Sequence, residues 1–327
     1  MSLVALLMVG VAKGWVVSPT DSTATFRAIS APGGRVCWAS GSKGTFARTL
    51  DGVNWKAGQV AQAKDAEFRS IVAFDANRAV MLAIGEGEAS QIFRTEDGGA
   101  TWVRTFRNPD KRAFYDAIAF WDREHGIAFG DPVEGQIPIL ITDDSGRTWV
   151  RPPSDRMPTA MPGEAAFAAS GRCLVVRGSH DAWIATGGGA ARVFHTSDRG
   201  RSWTVAPTAV PSGSGSAGLF GLLFWSDKEG IGVGGDYEKD AEPGYAIMTR
   251  DGGRTWPVLG FRPPGLREAA IRYGKGFMLV GPSGTDVSED GRTWTTVKNP
   301  GVLHTVAASR KRIWAVGENG LIARWGE

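Results

Sequence analysis

Apolar and polar positions along this chain alternate in short runs of four to seven residues, bounded by glycine, proline, serine and aspartate. Such runs between turn signals predict β-strands rather than helices. Seven apolar runs recur at similar spacing, at 26–30, 68–74, 115–120, 165–169, 220–225, 269–273 and 303–308. Each opens a unit in which a second strand follows, as at 36–40, 79–84, 126–129, 173–176 and 276–280. The second strand often ends in a glycine-rich turn, such as Gly41-Ser42-Lys43-Gly44 or Gly317-Glu318-Asn319-Gly320. A third strand then leads into a polar turn, and a fourth carries a tryptophan.

The polar turn is the clearest repeat. Thr95-Glu96-Asp97-Gly98-Gly99-Ala100-Thr101-Trp102 recurs as Thr142 to Trp149, Thr196 to Trp203 and Thr249 to Trp256, with shorter copies at Thr49 to Trp55 and Ser288 to Trp294. The pattern S/T-x-D-x-G-x-S/T-W is the Asp-box. Its aspartates (Asp51, Asp97, Asp144, Asp198, Asp251, Asp290) suit backbone N–H groups of their own turn, and its hydroxyls help close the hairpin. Its tryptophans (Trp55, Trp102, Trp149, Trp203, Trp256, Trp294) are expected to pack on a neighbouring sheet, so both sets are structural. A calcium loop needs more oxygen ligands than the single reliable aspartate each turn supplies. A unit of this length is a propeller blade.

The spacing therefore predicts an all-β, seven-bladed β-propeller with four-stranded blades, as one domain over 14–327. The last unit supplies three strands, and the orphan strand Gly14-Trp15-Val16-Val17 is expected to complete it, with Trp15 in the fourth-strand role. Residues 1–13 read as a signal-like leader, too short to span a bilayer. They point to an exported protein, periplasmic or extracellular.

Composition narrows the function. The 37 basic and 34 acidic residues are too balanced for nucleic acid. Two cysteines, Cys37 and Cys173, fall in blades across the ring, so both are expected reduced, and no metal spacing accompanies them. No cofactor motif occurs. Gly187-Gly188-Gly189 has no helix after it and is not a phosphate loop. None of the four histidines sits beside a nucleophile elbow.

The chain resembles the photosystem II stability and assembly factor family of Asp-box propellers. The resemblance spans essentially the whole chain. It is carried by Phe114-Tyr115-Asp116-Ala117-Ile118-Ala119-Phe120-Trp121-Asp122, Gly130-Asp131-Pro132 and Gly187 to Phe194. It implies a seven-bladed propeller and a chaperone-like partner of a membrane-protein subunit. Sialidases share the repeat, but their early F/Y-R-I-P segment is replaced here by Phe26-Arg27-Ala28-Ile29. Xyloglucan-cleaving relatives usually pair two propellers.

Long loops at 130–138, 151–163, 177–191, 206–218, 234–244 and 260–266 are expected to gather on one face. The starts of the innermost strands should ring the channel there. The expected binding residues are Arg27, Arg69, Tyr115, Asp116, Asp131, Glu164, His180, Asp236, Tyr237, Arg267 and His304, with Arg267 or Glu268 serving the sixth blade. The function expected is a monomeric, non-enzymatic scaffold for a protein partner. The alternative is a glycoside hydrolase using two of Asp116, Asp131, Glu164, Asp236 and Glu268.

Overall fold

The computed structural model describes residues 14–152 and 156–326, so the 1–13 leader lies outside the described residues. Seven antiparallel sheets follow one another around a central channel. Blade 1 is Phe26–Gly33, Val36–Gly41, Thr45–Thr49 and Trp55–Gln59, innermost strand first. Blades 2, 4 and 6 repeat the four-strand order. In blades 3 and 5 the outermost strand reduces to single bridges, Ile141 to Val150 and Ile247 to Val258. Blade 7 combines Leu303–Ser309, Arg312–Gly317 and Ile322–Gly326 with Gly14–Ser18, which pairs in register from Gly14 opposite Gly326 to Ser18 opposite Ile322. This first described strand thus completes blade 7 and covers the outer edge of Ile322–Gly326, joining the two ends of the described chain in one sheet.

Cores lie between adjacent blades. The turn tryptophans Trp55, Trp102, Trp149, Trp203 and Trp256 are buried, and each packs on the preceding blade's sheet. In the turn of blade 2 the Asp97 carboxylate accepts from Thr101 N–H (2.9 Å) and Thr101 Oγ1 (2.6 Å), while Thr95 Oγ1 accepts from Gly99 N–H. A second layer of tryptophans stitches blade to blade. Trp314 of blade 7 donates to Gly52 O of blade 1, and Trp183 of blade 4 donates to Gly252 O of blade 5. The large flat ring fills the wedge between two twisted sheets, and its one N–H finds a turn carbonyl.

Blade 4 differs from the sequence reading. The runs 165–169 and 173–176 do not form its first two strands. Those are Leu174–Arg177 and Asp181–Ala185, joined across Gly178-Ser179-His180. Gly178 takes φ 57, which lets the tight turn close there. The earlier run is released from the sheet: Glu164–Ala165 pairs with Gly187–Gly188, and residues 166–172 enter the channel. The loop expected at 177–191 is therefore two connections on opposite faces, and His180 lies on the face of the aspartate turns.

A blind vestibule ringed by bulged residues

Five of the seven innermost strands begin with the same device. In blades 1, 2, 3, 5 and 7 the register slips by one residue, at Arg27, Arg69, Asp116, Phe220 and His304. A β-bulge re-aims the extra side chain, and all five line one cavity of about 580 Å³ at the channel mouth. The residue before each bulge, Phe26, Phe68, Tyr115, Leu219 or Leu303, is fully buried. Opposite it in four of these blades stands Gly41, Gly130, Gly234 or Gly317, where a Cβ would run into the carbonyl before the anchor. Gly281 does the same in blade 6, which places Arg267 at the anchor position and Glu268 in the ring.

Arg267 is thus no contact residue. It is fully buried and bonds to Asp286 Oδ2 (2.7 Å), Ser283 Oγ (2.9 Å) and Leu266 O (2.9 Å). Tyr115 is likewise an anchor, edge-on to Phe106, with its hydroxyl bonded to Arg151. Glu164 is buried under a two-pronged bond from Arg192 and a 2.6 Å bond from Thr186 Oγ1. Asp236 caps the short 3-10 turn Tyr237–Lys239 by accepting from Glu238 N–H. Arg27, Arg69, Asp116, Asp131, Tyr237, Glu268 and His304 do meet in the cavity. Phe167, Phe220, Asp240 and Glu318, absent from the sequence-derived set, join them. Phe220 was legible in the repeat: Phe-Arg-Ala, Phe-Arg-Ser, Tyr-Asp-Ala, Leu-Phe-Gly, Arg-Glu-Ala and Leu-His-Thr are one anchor–ring–small triplet. Aligning them singles out its middle residue.

The cavity does not run through the ring. Residues 166–172 cross the channel, and their contacts span it. Arg69 Nη1 donates to Ala168 O, Ser170 Oγ to Glu268 O, and Arg172 Nη2 to Val306 O (2.7 Å) in blade 7. Below this cork lies a second cavity of about 550 Å³, opening to the other face.

One wall of the upper vestibule is built on arginines and the other on aspartates. On one side Arg27 Nη1 meets His304 Nδ1 at 3.0 Å, and Glu268 Oε2 meets the same nitrogen at 3.1 Å. Arg69 adjoins Arg27, and burial with that like charge lowers its affinity for its proton. On the other side are Asp116 and Asp131. Burial lifts Asp131 to about 6, against a bond from Ala166 N–H (2.8 Å). Asp116 lies 1% exposed, neither carboxylate oxygen has a partner among the described residues, and burial beside Asp131 pushes it well above the carboxylate range. Between the walls, Phe167 stacks on Phe220 (4.2 Å, 7°) and Tyr237 stands edge-on at 6.0 Å. Among the described residues no cluster suited to a metal ion occurs, and no helix is long and apolar enough to cross a membrane.

Fold and site together define a seven-bladed propeller with a blind, two-signed vestibule on its loop-rich face. Among solved structures the chain is similar to YCF48 bound to D1 peptide, with 18% identity, 96% of this chain and 97% of that one covered, and a TM-score of 0.68. YCF48 from Cyanidioschyzon merolae matches at 15% identity, 95% and 98% coverage, and TM-score 0.67. A GH74 xyloglucanase from Xanthomonas campestris matches at 14% identity and TM-score 0.63, over 95% of this chain but 53% of its own length. No protein-family model and no curated sequence matches. At these identities the shared property is the seven-bladed fold.

Proposed function

We propose that this protein is a non-enzymatic assembly scaffold whose upper vestibule receives a segment of a protein partner. The observation that carries the reading is the ring of bulged residues. Five blades spend a register slip to point one side chain each into a single closed-bottom cavity, as a recognition surface on a rigid frame requires. A propeller of the same fold, YCF48, has been solved with D1 peptide, which supports a peptide-sized occupant here. Arg27 and Arg69 would hold carboxylates of that segment through their planar forks. In this reading the six aspartate turns are structural Asp-boxes, the protein is an exported monomer, and its partner is a membrane-protein subunit.

The hydrolase alternative loses most of its carboxylates to structural bonds. Glu164, Asp236 and Glu268 are engaged as described, which leaves Asp116 and Asp131 on one wall rather than flanking a sugar. The test is capture of a partner from the native envelope fraction by wild type and by Arg27→Glu, Arg69→Glu. Sharply reduced capture by a variant that melts like wild type supports the reading. Undiminished capture places the contact elsewhere, and release of sugars from xyloglucan or a sialoside would overturn the non-enzymatic assignment.

A further inference from the structure

We infer that the Asp116–Asp131 wall of the vestibule is a subsite for a basic side chain, arginine above all, presented by the inserted segment. The inference rests on the peptide-binding reading of this cavity and names a second, oppositely charged contact within it. Three observations converge. Asp116 is almost wholly buried with both oxygens unpartnered among the described residues, an arrangement that costs free energy unless a proton or a ligand N–H group satisfies it. Asp131 keeps part of its surface in the cavity, and Ala166 N–H fixes one of its oxygens. Phe167, the next residue along, stacks with Phe220 and lines the same cavity. Carboxylates beside aromatic faces are what a guanidinium uses, with five N–H donors in its plane and a ring quadrupole against its face.

Among the described residues neither arginine is bonded to this wall. Arg27 turns one nitrogen to His304 and Glu268, and Arg69 lies against Ala168 O and Glu67. Against the pair lies the buried thiol of Cys173, which burial and the neighbouring Asp116 keep neutral. With no cation present, the pair avoids two buried charges by holding protons. An arriving guanidinium displaces a proton from Asp131, so binding releases protons at mildly acidic pH and tightens as pH rises through about 6.

The test is calorimetry of the full chain with acetyl-Gly-Arg-Gly-amide and with its citrulline counterpart, which has the same shape and no charge. The expected affinity for the arginine peptide rises about tenfold from pH 5 to pH 7.5. Titrations in acetate and in MES at pH 5.5 should differ by the heat of nearly one released proton. The citrulline peptide should bind at least about tenfold more weakly. Asp131→Asn keeps an oxygen for Ala166 N–H, so it should fold, and it should lose both the arginine preference and the pH dependence. Equal binding of the two peptides, pH-independent binding, unchanged binding by Asp131→Asn, or no binding at about 10 mM peptide overturns the inference. Arginine-peptide binding that survives while Arg27→Glu, Arg69→Glu still captures partner would instead sink the peptide-docking reading and leave the subsite standing.

Discussion

The indole of Trp15 donates to Thr285 Oγ1 at 3.0 Å, tying the first described strand to blade 6 although 270 positions separate them. The same ring meets Trp325 edge-on at 5.1 Å. Trp15 therefore occupies, in blade 7, the place the turn tryptophans hold in the other blades, packed toward the blade before. Deleting residues 1–18 removes this strand and exposes the edge of Ile322–Gly326. The melting temperature should fall by at least about 5 °C, read by circular dichroism. An unchanged melt would contradict closure by this strand.

The turn tryptophans are structural by the same geometry. Trp256 is buried and donates to Gly253 O at 3.0 Å. Trp256→Ala should cost about 3 to 5 kcal/mol in denaturant unfolding, with the vestibule's ligand binding intact.

Arg267 occupies an anchor position that is Phe, Tyr or Leu in the five bulged blades. Arg267→Leu alone leaves Asp286 buried without its cation and should cost about 3 to 5 kcal/mol. Arg267→Leu with Asp286→Val should recover most of that loss, since an apolar anchor already serves elsewhere in the ring. A double variant no better than the single would show that Asp286 matters through Thr296, which bonds its other oxygen at 2.6 Å.

Two sets of aspartates should oppose one another in pH dependence. The Thr101 hydroxyl, then its N–H, holds Asp97 at about 2. Stability from that carboxylate is present above about 4 and lost as pH falls through about 2. Asp97→Asn should thus melt below wild type at pH 7 and level with it near pH 2. Asp131 has the other sign. Lifted to about 6, it keeps a proton that the unfolded chain gives up near pH 4, so the native state loses stability as pH rises from about 4 to about 6. Asp131→Asn should exceed wild type by about 1 to 3 kcal/mol at pH 7.5, with the gap closing toward pH 4.

Both thiols are free and buried, and burial raises both pKa values. Neither Cys37 nor Cys173 should react with Ellman's reagent in the native protein, and two thiols should appear on denaturation. Rapid native labelling would contradict their burial.

The repeat alone determined the blade count, the aspartate turns and the closing strand, because each depends on contacts within one 38- to 54-residue unit or on arithmetic over units. The ring positions of Arg27, Arg69, Asp116 and His304 are legible for the same reason, since the innermost strands of blades 1, 2, 3 and 7 start the same way. Polarity alone misplaces Tyr115, because the one-residue slip sends its neighbour inward and buries the anchor, and it misplaces Arg267, because a buried ion pair with Asp286 stands where the other anchors are apolar or aromatic. Glu164 and Asp236 went astray differently: their partners, Arg192 and Glu238 N–H, come from loop paths that no periodicity encodes. The cork depended wholly on tertiary structure. Ala-Phe-Ala-Ala-Ser reads as a strand by local preference, yet blade 4 already takes its four strands from residues 174–207, and the displaced run finds its hydrogen bonds on the far walls of the channel. Whether an apolar run joins a sheet or fills a hole is decided by which partner remains unpaired once the ring has closed. That competition between distant blades has no signature in a local pattern.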